Sequence, residues 1–261
     1  TDGNNDQWVS YKAYLTASAT ATPTLSDITL QYVVNAPPQF DTSFNTTGVT
    51  ATQNSDGTVT IQYQIRDPDT TTGTTTPNAV TPGFEYSTNG GTDYSSITSS
   101  YLASTDLQNK TVGESSYTLY SATWSPKPQL GSSTYVTNAK IRVTLNDNEA
   151  ANNTANASTA NFTLDTTNPT SPSVAITTNN NAAAPGSVTL TLSASDNSSL
   201  QMKAGLNSDL SDATWETYST SKTLTLATDP DTVYAQFKDA YGNTSSTASA
   251  VTPETPTGMM I

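Results

Sequence analysis

The feature that most constrains this chain is a series of short stretches in which apolar and polar residues alternate. VTIQYQI at 59–65 and VYAQF at 233–237 are examples, and turn-forming residues follow most of them. Alternation with a period of two is the pattern of a β-strand with one buried face. Ser and Thr together make up 84 of the 261 residues, 32 Ser plus 52 Thr, which favours strands and turns over helices. The sequence therefore predicts an all-β protein.

Proline-rich linkers divide the chain at 35–38 (NAPP) and at 166–172 (TTNPTSP), because proline stops a strand and stiffens a spacer. The chain has neither an initiator Met nor a signal peptide, so we interpret it as a piece of a longer protein. Four segments are expected, in this order: the terminal β-hairpin of an incomplete sandwich module in 1–35, a β-sandwich in 36–166, a second β-sandwich in 167–253, and a linker to a further module in 254–261.

The two predicted sandwiches repeat each other. GTVTI in the first matches GSVTL in the second, and in both an Asp follows ten residues after the Gly, at Asp67 and Asp196. A later alternating strand also ends on an Asp in each unit, at Asp147 and Asp239. Tandem copies of one sandwich are the simplest account of this pattern.

A set of residues spans most of the second unit: Pro172, Val188, Leu190, Asp196, Met202, Trp215, Tyr218, Phe237, Asp239, Gly242 and Asn243. With them the unit resembles the bacterial immunoglobulin-like modules found in tandem in large exported proteins. The first unit, with TVTIQYQIRDPD, FEYSTNGGTDY and AKIRVTLND, resembles fibronectin type III-like repeats of bacterial surface proteins, and 8–34 resemble the closing hairpin of another extracellular β-sandwich. The resemblance implies tandem antiparallel sandwiches in an extracellular, cell-surface location. It does not supply an activity, because such folds carry many functions.

Composition excludes several classes of function. The chain has 9 Lys and Arg against 22 Asp and Glu, a net charge of −13, with no His and no Cys. The net negative charge would repel nucleic acid and anionic lipid. The sequence contains no apolar run of 18 residues, so we expect no direct membrane insertion. Histidine-based hydrolysis and thiolate zinc sites are excluded. The acids lie in turns rather than in a cleft, so we expect no enzyme activity.

The carboxylates are expected to gather at the sandwich poles. In an immunoglobulin-type sandwich the second and sixth strands run in the same direction, so the loops that follow them meet at the pole where the first strand enters. Like charges there repel unless a cation joins them, and Ca²⁺ accepts six to eight oxygens from such loops. We predict Ca²⁺ at one pole at least, the alternative being that each Asp caps its own turn. The candidate ligands are Asp67, Asp69, Asp147, Asn148 and Glu149 at the first pole, and Asp165, Asp196 and Asp239 at the second.

The expected function is a non-catalytic structural segment of an extracellular multidomain surface protein, such as a surface layer, filament or adhesin stalk, stiffened by calcium between domains. Its partners would be other copies of itself or other surface proteins. The alternative is a carbohydrate-binding accessory module of a secreted polysaccharide-degrading enzyme, with Trp8, Trp124 and Trp215 as a sugar-stacking platform. Trp124 and Trp215 fall in predicted strands, which favours core packing for both.

Overall fold

The computed structural model describes residues 35–70, 79–149, 151–179, 186–226 and 231–252, and a few N-terminal positions (12, 14–16, 23–25 and 27–29). The predicted hairpin of 1–35 lies largely outside these residues, and so do Trp8 and the linker of 254–261; these stay predictions. Within the described residues, no helix has the length and hydropathy needed to cross a membrane.

The first unit is a sandwich of two antiparallel sheets. Its elements are β1 Gln39–Phe40, β2 Val49–Gln53, β3 Val59–Arg66, β4 Ala79–Ser87, β5 Ser95–Ser96, β6 Lys110–Thr111, β7 Thr118–Trp124, α1 Pro126–Leu130, β8 Tyr135–Asn146, β9 Thr154–Ser158 and β10 Phe162–Asp165, with a 3-10 turn at Ser99–Tyr101. Strand β3 is central in one sheet, with β1 and β2 on one side and β7 on the other. Strands β8 and β4 are central in the other, with β9 and β10 beside β8, and β5 and β6 beside β4.

Alternation along the strands places one face of each sheet in the core. Every second residue of β3 is buried, and the same holds for the second half of β8. Trp124 is fully buried, as core packing predicted, and Tyr86 stacks on its ring with 5.2 Å between ring centroids. Burial of a large apolar side chain contributes about 1.5–3 kcal/mol, so this core accounts for much of the unit's stability.

The second unit has its own core and the same two-sheet plan. Its strands are β11 Thr170–Asn179, β12 Ser187–Ser195, β13 Gln201–Gly205, β14 Glu216–Thr217, β15 Ser221–Thr225, β16 Thr232–Lys238 and β17 Ala248–Val251. One sheet has the order β11-β12-β15 and the other β14-β13-β16-β17, all antiparallel. Leu190, Leu192 and Phe237 are buried between the sheets, and Tyr218 packs edge-on against Phe237.

Both units thus follow an immunoglobulin-like or fibronectin type III-like strand order. In each unit the third main strand, β4 in the first and β13 in the second, pairs with the short strand that follows it, β5 or β14. A constant-type immunoglobulin domain instead places its fourth strand in the opposite sheet. The unit expected to be immunoglobulin-like therefore has the same arrangement as its fibronectin-like neighbour, which agrees with the internal repeat.

Trp215 was expected to pack in the core, and that prediction is wrong. It precedes β14 and stays half-buried outside the buried cluster of the second unit. The ammonium groups of Lys203 and Lys238 lie 5.1 and 4.7 Å from its ring centroid, within the range of a cation–π interaction. Both lysines alternate with core residues along β13 and β16, so the Trp215 ring covers the outer face of that sheet.

Candidate metal centre

Three aspartates converge where the two sandwiches meet. Asp165 is the last residue of β10, Asp196 directly follows β12, and Asp239 directly follows β16. Strands β12 and β16 end at the same pole, and the linker from the first sandwich enters there. One carboxylate oxygen from each of the three lies within 4.8 Å of the other two. The structure therefore brings together the three residues proposed for the second pole.

Asp165 is held rigidly and is fully buried. The Gln53 side chain pairs with both of its backbone groups: Gln53 Nε2 donates to the Asp165 carbonyl oxygen and the Asp165 amide donates to Gln53 Oε1, each at 2.7 Å. Asp165 Oδ1 accepts hydrogen bonds from the Thr167 amide and hydroxyl. Its Oδ2 is buried and has no hydrogen-bond partner in the described part of the chain. A buried carboxylate oxygen without a partner is costly.

Asp196 and Asp239 each cap the turn that follows them. Asp196 Oδ1 accepts from the amide and hydroxyl of Ser198, at 2.8 and 2.9 Å. Asp239 Oδ1 accepts from the amides of Tyr241 and Asn243, and its Oδ2 accepts from Asn243 Nδ2 at 2.8 Å. The turn-capping alternative is thus present in the hydrogen bonds of all three aspartates. It leaves Asp165 Oδ2 unsatisfied, so capping and ion binding are compatible at this pole.

The electrostatics of the cluster are unbalanced. Burial raises the pKa of Asp239 and the charge of Asp165 adds to this, while hydrogen bonds from Asn243 and Tyr241 work against it. Lys127 is the nearby cation: burial lowers its pKa, and the charges of Asp239 and Asp165 oppose that change. Three carboxylates and one ammonium sum to −2, the charge that one divalent cation would neutralise.

The spacing suits calcium. Ca²⁺ binds oxygen at 2.3–2.6 Å, so ligands on opposite sides of the ion are separated by about 5 Å or less. The separation of at most 4.8 Å in the cluster falls within that limit. The remaining ligands of a calcium ion would come from amide or carbonyl oxygens and water.

The first pole is assembled differently. Asp67 follows β3 and Asp147 follows β8, and both are buried. Burial raises the pKa of Asp67 to about 7 and the charges of Asp69 and Asp147 add to this, while the hydrogen bond that the Asp69 amide donates to Asp67 Oδ1 works against it. Asn35 Nδ2 donates to Asp147 Oδ2 at 3.0 Å. Among the described residues, the carboxylates of this pole do not form a group as tight as that of the second pole.

Other proposed ligands of the first pole have different roles. The Ala36 amide donates to Asp69 Oδ2 at 2.8 Å, while Asp69 Oδ1 is buried without a hydrogen-bond partner in the described chain. Asn148 is exposed and donates through its side chain to the Thr81 hydroxyl, which turns it toward β4. Glu149 donates its amide to Asp147 Oδ1. Asn148 is therefore not brought into the carboxylate group.

Sequence reasoning missed two residues of the joint, Gln53 and Lys127. Lys127 lies in α1 and donates from Nζ to the Oδ1 atoms of Asn168 and Asn243, both at 2.6 Å. Gln53 breaks the polar–apolar alternation at the end of β2 by being buried. A glutamine on the inward face of a strand was the one available signal, since a buried polar side chain needs a partner.

Comparisons with known proteins define no family. No family model matches the chain, and no curated protein matches it. Two solved structures align with 84% of the chain: the FN1–FN3 domains of chicken CNTN1, at 13% identity over 68% of that chain with a TM-score of 0.28, and the human OSCAR ligand-binding domain, at 12% identity over all of that chain with a TM-score of 0.30. The fold assignment rests on the strand order described above.

Proposed function

We propose that this chain is a non-catalytic structural segment of an extracellular multidomain surface protein, in which Ca²⁺ bound by Asp165, Asp196 and Asp239 stiffens the joint between two sandwiches. The observation that carries the proposal is the buried, unpartnered Oδ2 of Asp165 within a convergent group of carboxylates. Its partners would be other copies of the chain or other surface proteins. A surface layer, a filament or an adhesin stalk would each use such a segment.

The ligands come from separate parts of the chain, and this gives the ion a mechanical role. Asp165 ends the first sandwich, whereas Asp196 and Asp239 belong to two loops of the second. An ion shared by the three would tie the linker to both sheets of the second sandwich. Asp165 is itself fixed to β2 of the first sandwich through Gln53. Bending at the joint would then require breaking metal–ligand bonds.

Calorimetric titration of Ca²⁺ into the chelator-treated chain tests the proposal. We expect binding at a single site and a higher melting temperature at millimolar calcium, because a ligand that binds the folded state stabilises it. Asp165→Asn should weaken binding about tenfold or more, since asparagine keeps the turn-capping oxygen and removes the charge. The absence of both heat and a melting shift at millimolar calcium would overturn the proposal.

Asp209→Asn is the matched control for that substitution. Asp209 Oδ1 accepts from the amide and hydroxyl of Ser211, the same turn that Asp165 makes with Thr167. Asp209 is exposed and lies in the loop after β13, whose end pairs with the start of β16, away from Asp239. Its substitution should leave calcium affinity unchanged. Equal loss in both variants would mean that general surface charge, rather than the cluster, attracts the ion.

Carbohydrate binding is the second candidate function, favoured by the position of Trp215 outside the core. Aromatic rings stack on sugar rings, and Trp215 lies on the outer sheet face with two lysines. A pull-down with acidic polysaccharide should then be lost in Trp215→Ala and survive in Asp196→Asn. If the polysaccharide retains neither the unchanged chain nor either variant, carbohydrate binding is excluded.

A further inference from the structure

Lys127 connects the first sandwich to the second across the joint. The short helix α1 carries it between two prolines, which fixes its backbone. Its Nζ donates to Asn168 in the linker and to Asn243 in the turn after β16. The charges of Asp165 and Asp239 also act on its ammonium group. A lysine of the first sandwich therefore places a positive charge beside a carboxylate group that is built largely by the second sandwich.

The contact with Lys127 determines the orientation of the Asn243 amide. Asn243 Oδ1 accepts from Lys127, so the Nδ2 side faces the opposite way and donates to Asp239 Oδ2 at 2.8 Å and to the Asp165 carbonyl oxygen at 3.2 Å. Asn243 is buried. Calcium binds amide oxygens and not amide nitrogens. In this orientation Asn243 presents its non-ligating side to the carboxylates.

We propose that Lys127 is a built-in counter-cation that locks the calcium-free joint and sets its calcium affinity. It does so by adding a positive charge beside the cluster and by holding the Asn243 oxygen away from it. The positive charge of Lys127 would repel the entering calcium ion. Once the contact with Lys127 is released, the Asn243 amide would turn over and supply a further oxygen ligand. This inference rests on the proposed calcium function.

The sequence of events follows from charge balance. Without calcium, Lys127 offsets one of the three carboxylate charges and bridges the linker to the second sandwich through Asn168 and Asn243. With calcium, the ion offsets two further charges and replaces the hydrogen bonds that Asn243 makes to Asp239 and Asp165. The joint would therefore be held by hydrogen bonds without calcium and more tightly by metal–ligand bonds with it, and Lys127 would raise the calcium concentration at which the first state gives way to the second.

Calcium titration of three lysine variants tests the lock. Lys127→Met should bind Ca²⁺ about tenfold more tightly than the unchanged chain, because a single charge close to a partly buried site has an effect of that order. Lys127→Arg keeps the charge and should stay within about threefold. Lys140→Met removes a half-buried lysine from β8, with the same change in net charge, and should match the unchanged chain.

A gain in affinity distinguishes the lock from a purely structural role, because a damaged joint would bind calcium more weakly. Unfolding in chelator adds a second readout: Lys127→Met should be less stable there than Lys140→Met. Equal or weaker calcium binding by folded Lys127→Met would overturn the lock while leaving the calcium site intact. Binding by Lys127→Met in the absence of binding by the unchanged chain would support the lock, and absence of binding by both would overturn lock and site together.

Discussion

At the scale of single residues, burial decides how an aspartate in a capped turn behaves. Asp56 and Asp209 are exposed and Asp41 is half-buried, and hydrogen bonds from the Ser or Thr two residues later lower the pKa values of all three. Asp239 caps its turn in a related way, yet desolvation raises its pKa. The same local motif therefore gives a stable surface charge at one position and a cation-attracting charge at another.

The Asp67 pKa of about 7 predicts a pH dependence of stability. Because this pKa lies above the usual value of 3.8, the folded state holds the proton more tightly, and folding stability falls as pH rises from about 4 to about 7. Asp67→Asn should remove this loss and be more stable than the unchanged chain at pH 8, by about 4 kcal/mol at most. Urea unfolding at pH 5 and pH 8 in chelator measures the difference.

Asp56→Asn provides the comparison for the pH experiment. Asp56 is exposed and its pKa is lowered by Thr58, so its substitution should not reduce the loss of stability between pH 5 and pH 8. If Asp67→Asn shows the same slope as the unchanged chain over that interval, Asp67 is already ionised in the folded state and the raised pKa is wrong.

At the scale of elements, a single glutamine ties the first strand pair to the last strand. Gln53 ends β2 in one sheet and pairs with Asp165 at the end of β10 in the other. Gln53→Leu would leave the buried Asp165 amide without a partner and should cost about 1–3 kcal/mol. Urea unfolding checks this. Gln62→Leu on the half-buried face of β3 is the control, and an equal cost in both variants would contradict a specific role for Gln53.

Strand alternation predicted the elements well because it reflects a local rule, burial of every second residue. It was enough for β3, β8, β12 and β16, and hence for the meeting of Asp196 and Asp239 at one pole. It failed for Trp215, since a residue near a strand end can lie over the sheet instead of inside it. The aspartates themselves were visible in sequence as residues that end strands.

The supporting contacts could not be predicted in this way. Lys127 and Asn243 are 116 residues apart, and Gln53 and Asp165 are 112 apart. No local pattern specifies which side chains meet across a domain joint. Linker chemistry also separates the two poles: Asn35 donates an amide hydrogen bond to Asp147 at the first pole, where the second pole has the carboxylate of Asp165. The sequence alone did not reveal this difference between the poles, because it depends on which side chains contact the aspartates in the folded chain.

At the scale of the whole molecule, the joint is closed by backbone contact as well as by charge. Gly242 has a φ of +87°, and a Cβ at this position would lie 2.5 Å from the Ser55 carbonyl oxygen of the other sandwich. A glycine is needed there for both reasons. The pocket beside this contact has a volume of about 250 Å³ and includes Lys127 and Asn243, so the lysine and the glycine contact belong to one interface.

Gly242→Ala should loosen the joint. Gly90 is the control, since its φ is +77° and a Cβ there would approach only the Asn138 side-chain amide, at 3.3 Å. Both substitutions carry the strain of a positive φ, about 1 kcal/mol, and Gly242→Ala should cost at least a further ~1 kcal/mol because backbone must move. Urea unfolding compares them. Equal costs would show that the contact with Ser55 adds nothing.

Calcium-dependent stiffening of the joint is the central claim, and a distance distribution across it is the most direct test. The chain has no cysteine, so spin labels can be placed at Ser121→Cys on β7 and Thr223→Cys on β15, both exposed. Double electron–electron resonance should give a narrower distribution of label-to-label distances with millimolar Ca²⁺ than with chelator. Asp196→Asn should abolish the narrowing. Equal widths with calcium and with chelator in the unchanged background would contradict the claim.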